Sequence, residues 1–260
     1  MNKFKRTKAY KSFRKFGKNL RKKVKRFFFK RKLKKATPVF IYQMGKVASS
    51  SIFSSLQNQY PGAVGHAHHI GSDNWHSEEL HNWAKSGKQL KIISPIREPI
   101  GRNISAFFQC FDVLTNEPFD PSKYTTVELF DLFIEKQDHD VPLNWFDDNI
   151  KKYFNIDVYS KEFPKNGIAK YTSGNVSLLI LRIDIDDSEK ERAINEFLGL
   201  NDFCLKNRNL SEGKKYNQAY KTLKQQLKLP DSYLDKMTNS KFFRHFYSES
   251  EIDKVASKYK

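Results

Sequence analysis

Cysteine is nearly absent: Cys110 and Cys204 are the only two in 260 residues. So few exclude a disulfide framework and any four-cysteine zinc site, and they suit a reducing compartment. No apolar run is long enough for a signal peptide or a membrane-spanning helix. Neither a G-x-x-x-x-G-K-[ST] loop nor an H-E-x-x-H helix occurs, and no internal repeat or long linker is visible. Acid is missing from the whole N-terminal stretch, with Asp73 the first acidic residue. The length suits one domain with a substantial core.

What is abundant is positive charge, and it is unevenly placed. Residues 1–35 hold 18 of the 47 Lys and Arg, leaving 29 basic residues against 29 acidic ones in the rest. The net charge of +18 therefore belongs to a tail, and the body is neutral. A duplex-binding basic face on the folded domain is not indicated, and no specific nucleic-acid partner is expected. Within the tail, Phe13, Phe16, Leu20, Val24 and Phe27 recur at spacings of three and four, which places them on one face of a helix. Lys and Arg fill the other faces. Such a helix suits an anionic membrane surface, and the Phe27-Phe28-Phe29 cluster favours that reading over a solvated tail touching RNA. The expected organisation is a basic amphipathic or disordered tail over residues 1–36 and a folded domain over 37–260. The expected location is cytoplasmic, peripheral on the inner face of the cytoplasmic membrane.

After Thr37-Pro38 the composition changes. Val39-Phe40-Ile41-Tyr42 reads as a short buried strand, leading into the small-residue loop Gln43 to Ser51 and then a helix with Ile52, Phe53 and Leu56. Leu90 to Ser94 is a second strand, ended by Pro95, with a helix from Arg102 to Val113. Ser177 to Ile183 is a third, of the continuous apolar kind that a sheet covered on both sides requires. Val158-Tyr159 reads as a further strand. Ser188 to Leu198 follows as an amphipathic helix capped by Ser188, and the C-terminal quarter is helical, with Tyr216, Tyr220, Leu223 and Leu227 on one stripe. Alternating strands and helices predict an α/β three-layer fold with a mostly parallel sheet.

Two segments carry chemistry. A small-residue loop entering a helix N-terminus presents free N–H groups and the positive end of the helix dipole to an anion. Lys46 adds a full charge there, and Ser49, Ser50 and Ser51 add hydroxyl donors. Beyond the second strand, Arg97 and Ser105 are spaced to converge on one phosphate from a strand end and a helix. Residues 46–51 resemble the P-K-[TS]-[GA]-[ST]-[ST]-[ST] loop of sulfotransferases, with Gly45 where proline is common and Val47 where Thr or Ser is. Arg97, Glu98, Pro99, Arg102 and Ser105 resemble that family's R-[DE]-P-x-x-R-x-x-S segment, about fifty residues later. Leu179 to Asp184 is similar to a late strand of the same fold. The chain also resembles the sulfotransferase-like proteins assigned to bacterial capsular polysaccharide synthesis. Residues 111–175 carry no resemblance and are expected to form much of an acceptor cleft.

The resemblance implies a P-loop NTPase-like sulfotransferase topology. The implied activity is metal-free transfer of a sulfuryl group from 3′-phosphoadenosine 5′-phosphosulfate (PAPS), as cosubstrate, to a hydroxyl or amine of a glycan or glycolipid acceptor. Lys46 would be catalytic at the bridging oxygen. Gly45, Lys46, Val47, Ala48, Ser49, Ser50 and Ser51 would hold the 5′-phosphate, Arg97 and Ser105 the 3′-phosphate, and Lys214, in a stretch with Asn209 and Lys215, would close over the nucleotide. For the base that takes the acceptor proton, Gly65 to Ile70 is the candidate region. Alternation along a strand puts His66 and His68 on one face, with His68 preferred and His66 next. Purely structural histidines, or a metal site of His66, His68, His69, His76 and His81, are the alternatives. Trp75, Trp83 and Trp145 are candidates to stack on a sugar. Two other functions remain open. One is a non-catalytic, membrane-associated nucleotide- or glycan-binding protein of the same fold in capsule assembly. The other is an ATP-dependent kinase, disfavoured by the missing triphosphate loop.

Overall fold

Strand β1 (Val39–Tyr42) is buried along its whole length, as a strand covered on both faces must be. The structure is a computed structural model that describes residues 8–71, 74–206 and 216–260, with side chains from Leu20 onward. Around β1 lies a five-stranded sheet of order β2-β1-β3-β5-β4. Strands β2 (Val64–Ala67), β3 (Leu90–Ile96) and β5 (Val176–Arg182) run parallel to β1, and β4 (Ile168–Ser173) pairs antiparallel with β5.

Strand alternation sorts the apolar residues into two cores, one on each face of the sheet. Phe40, Tyr42, Ile92, Ile96, Leu178 and Ile180 share one core with Leu80, Trp145, Phe242 and Phe246. Val39, Ile41, Ile93, Leu179 and Leu181 share the other with Ile52, Leu56, Ile194 and Leu198. Helices α2 (Ser49–Gln59) and α8 (Asp187–Leu198) thus cover the second face. The first is covered by α3 (Trp75–Lys85), α6 (Val141–Trp145) and α11 (Lys241–Phe246), with a π-helical stretch (Phe146–Lys151) leading from α6 into α7 (Lys152–Phe154). A third cluster joins α4 (Pro99–Thr115), α5 (Thr126–Lys136), α9 (Asn217–Gln226) and α10 (Asp231–Thr238). Helix α12 (Glu249–Ala256) closes the described chain. The expected three-layer α/β sheet is present, and Leu223 and Leu227 of the predicted C-terminal stripe are buried.

Several local expectations are corrected. Strand β3 does not stop before Pro95 but runs on to Ile96. Its pairing with β1 ends at Ile93, so at Pro95 only β5 remains beside it and the missing N–H breaks no second ladder. Helix α4 starts at Pro99, three residues earlier than expected, because Glu98 caps it and Pro99 occupies the first turn, where no N–H is needed. Val158-Tyr159 is a turn, held by Asp157 accepting from the Tyr159 N–H at 3.0 Å. Helix α8 begins at Asp187, with Asp186 and not Ser188 at the cap position.

Helix α1 (Lys8–Lys32) bears out the predicted basic helix. Its end is built into the body: Phe29, and Leu33 in the turn just after the helix, are buried in the first core, and Arg26 and Lys30 pair with Glu79 of α3. Among the described residues no helix is long and apolar enough to cross a membrane.

Candidate functional site

Parallel sheets bind ligands at the carboxyl ends of their strands, where successive connections leave in opposite directions. Here the chain leaves β1 toward β2 and leaves β3 toward β5, so a crevice opens between the two exits. It is a cleft of about 700 Å³ lined from all four parallel strand ends: residues 44–46 and 48–51 after β1, His68 and His69 after β2, Arg97 after β3 and Ile183 after β5.

The β1–α2 loop has an unusual backbone. Gly45, Lys46 and Ala48 have φ of 82°, 64° and 53°, so two residues with a Cβ are held in the left-handed region, at a cost of order 1–2 kcal/mol each. Left-handed residues in a loop gather neighbouring N–H groups into a concavity that suits an anion, although here the Gly45 N–H is itself taken by Gln43. Ala48 stands at the cap position of α2 and has no side-chain oxygen to close the first turn, so the helix start keeps its positive character. Lys46 Nζ donates to Gln109 of α4 at 2.5 Å.

Arg102 underpins this loop. Its Nη2 donates to the Met44 carbonyl at 2.7 Å, its Nε to that of Gly45 at 3.4 Å, and its Nη1 to Asn103 Oδ1 at 2.9 Å. It is buried, makes no ion pair among the described residues, and burial pulls its pKa down to about 10.

Across the cleft Arg97 is half-buried beside Glu98. Burial works against its charge, but Glu98 and a hydrogen bond with Tyr220 outweigh it and hold the guanidinium above its ordinary pKa. Burial also raises Glu98, opposed by Arg97 and by the Gly101 N–H, which donates to both carboxylate oxygens at 2.9 Å. A Cβ at Gly101 would collide with Glu98 Oε1 and lie 3.0 Å from Arg97 Nη2, so any side chain here would push the Glu98 carboxylate aside. Ser105, two turns along α4, lines the same cleft.

Gln43 organises the histidines. It is fully buried, accepts from the Gly45 N–H through its side-chain oxygen, and sets Nε2 at 3.2 Å from His66 Nε2 and 2.9 Å from His68 Nδ1. His66 Nε2 also meets Ser49 Oγ at 2.9 Å. Burial, with His68 and His76 nearby, pushes the pKa of His66 down to about 4. His68 is lowered too, by burial first, against the Gln43 carbonyl that lies 3.0 Å from its Nδ1. Two contacts compete for that Nδ1: donating to the carbonyl leaves Nε2 as a base, whereas accepting from the Gln43 amide puts the proton on Nε2.

The cleft therefore brings together Gly45, Lys46, Ala48, Ser49, Ser50, Ser51, His66, His68, Arg97 and Ser105. Val47 does not join them: its side chain is fully buried in the core. Asn209, Lys214 and Lys215 lie outside the described residues. The tryptophans do not face the cleft as sugar platforms. Trp145 is core and donates to the His68 carbonyl at 3.0 Å, Trp75 packs on Phe29, and Trp83 stacks under Lys88. Residues 111–175 supply only Val141 to its lining. His76 and His81 pack against aromatic rings of α1, α3 and α7, and among the described residues no three metal-ligating side chains converge. Sequence reasoning missed Gln43 and Gln109. Gln43 did carry a signal, as the first polar residue after an apolar strand that enters the loop.

No curated protein and no solved structure matches the chain. A family model described as "Putative capsular polysaccharide synthesis protein" matches residues 121–248. That span begins where the two resembling segments have ended and contains, of the cleft lining, only Val141 and Ile183. The chain is thus similar, over the segment from α5 to the end of α11, to proteins of capsular polysaccharide synthesis.

Proposed function

We propose that the protein transfers a sulfuryl group from PAPS to a hydroxyl of a cell-surface glycan or glycolipid. One observation carries the reading: the anion-ready loop at residues 45–51 and the pair Arg97 and Ser105 face a single cleft at the switch point of a parallel sheet. Two separate cationic stations suit a donor with phosphates at both ends of its ribose. The Ser49 to Ser51 segment and the loop N–H groups hold the 5′-phosphosulfate, and Arg97 with Ser105 holds the 3′-phosphate. The acceptor oxygen attacks sulfur as the bond from sulfur to the bridging oxygen breaks. Charge gathers on that oxygen, where Lys46 is placed to offset it. The acceptor proton passes to His68 Nε2; His66 is the weaker choice because Ser49 and Gln43 already occupy its Nε2. The similarity to capsule-synthesis proteins supports a surface glycan as acceptor.

Calorimetry with 3′-phosphoadenosine 5′-phosphate against ADP tests the donor. Preference for the first is expected, with Arg97→Ala weakening it roughly tenfold to a hundredfold through loss of a charge-assisted pair. Equal affinity for the two nucleotides would overturn the assignment. The family match favours one competing reading, since it lies almost wholly outside the cleft: a non-catalytic binding protein of capsule assembly. Transfer of labelled sulfate by the parent and its loss in Lys46→Ala separates the two.

A further inference from the structure

Helix α1 carries two apolar faces. At 3.6 residues per turn, Phe29 and Leu33 fall on one side, and Leu20, Val24, Phe27 and Phe28 on the opposite one. The first side is consumed by the fold: Phe29 meets the rings of Trp75 and His76 at 5.2 and 5.1 Å, and Leu33 is buried. The second side covers nothing. Leu20, Val24, Phe27 and Phe28 are 53%, 46%, 58% and 57% exposed. They form a contiguous apolar stripe on a segment with 18 basic residues and no acid.

We propose that this outer stripe docks the protein onto the surface of an anionic lipid bilayer. The helix lies in the interface plane, with Leu20, Val24, Phe27 and Phe28 below the headgroups and the flanking Lys and Arg against lipid phosphates. Charge complementarity selects an anionic surface, and the four exposed apolar side chains select a bilayer. A nucleic-acid backbone would reward the cations but gives Leu20 and Val24 nothing to bury against. The inner face makes the attachment directional. Phe29 packs on His76 at the start of α3, and Asn74, which caps that helix, donates to the His66 carbonyl at 2.7 Å. The cleft is thus held at a fixed attitude to the docked helix.

The test uses the full chain, sedimented with vesicles of phosphatidylcholine alone or mixed with phosphatidylglycerol. Binding to the anionic vesicles is expected, with partitioning reduced at least roughly tenfold by Val24→Ser/Phe27→Ser, which leaves every charge in place. Both side chains are exposed, so unfolding temperature should not change. Equal sedimentation of parent and variant would overturn the proposal. So would a parent chain that binds a single-stranded RNA but not the vesicles.

Discussion

Lowering the pH from 8 to 5 is expected to destabilise the protein through His66 in particular. Its imidazole is half-buried against Ser49 and Gln43, with a pKa held down to about 4 in the folded state, against about 6.5 in the unfolded chain. Between those values the unfolded state binds the extra proton. Stability is therefore fully present above pH 6.5 and falls by about 1.4 kcal/mol per pH unit as acid is added, until the folded pKa is passed. At pH 5 the unfolded imidazole is almost wholly charged and the folded one mostly neutral, so this residue alone lowers stability by about 2 kcal/mol relative to pH 8. Burial shifts His76 and His68 the same way, so the parent's total loss is larger, and carboxylates add their own terms. The His66→Gln variant isolates the contribution, because shared terms cancel in the difference. Urea unfolding at both pH values should give a midpoint drop smaller in the variant by about 0.7–1 M, for a slope of about 2–3 kcal/mol/M. If both proteins lost the same stability between pH 8 and 5, the account of His66 as a half-buried neutral base would be wrong.

Two further substitutions probe the cleft. Gly101→Ala must push the Glu98 carboxylate off its cap, and a loss of about 0.5–2 kcal/mol is expected from the lost cap; an unchanged thermal unfolding curve would show that the cap does not matter. Gln43→Leu keeps the volume but strands the Gly45 N–H and removes the amide beside both histidines. A loss of about 1–3 kcal/mol is expected, together with a displaced His68 resonance in a histidine NMR titration; retention of the parent's titration curve would refute the organising role.

The parallel sheet was legible because its strands are buried on both faces and hence read as unbroken apolar runs, such as Ser177 to Ile183. Strand β4 was not. It is an edge strand with an alternating burial pattern, and the Ser173-Gly174-Asn175 turn that pairs it with β5, with Gly174 at φ 54°, was the short signal available. The grouping of Lys46, Arg97 and His68 was legible from their places just beyond strand ends, and that of Ser105 from its spacing after Arg97. The inward roles of Gln43 and Arg102 were not, because a polar residue that points under a loop looks in sequence like one that points into solvent. Similarly, the spacing of α1 identified the stripe of Leu20, Val24 and Phe27, while the opposite face of Phe29 and Leu33 needed the packed neighbours to become visible. The π-helical stretch at Phe146–Lys151 broke the helical period just where Trp145, Phe146 and Ile150 all turn into the core, which kept residues 111–175 unreadable.

The hold of Arg102 on the carbonyls of Met44 and Gly45 has a geometric consequence. Arg102 belongs to α4, the helix that also carries Ser105 and follows directly on Arg97, yet it grips the loop that follows β1. In the proposed reading the loop and the Arg97–Ser105 pair are two jaws of one caliper, and Arg102 is one of the side chains that tie them together. Affinity for one anion reports only on one jaw. If the proposed donor binds there, discrimination among ligands with two anionic ends rests on their spacing, and a shorter or non-planar side chain at position 102 would change which spacing fits before it changed any group that touches the ligand.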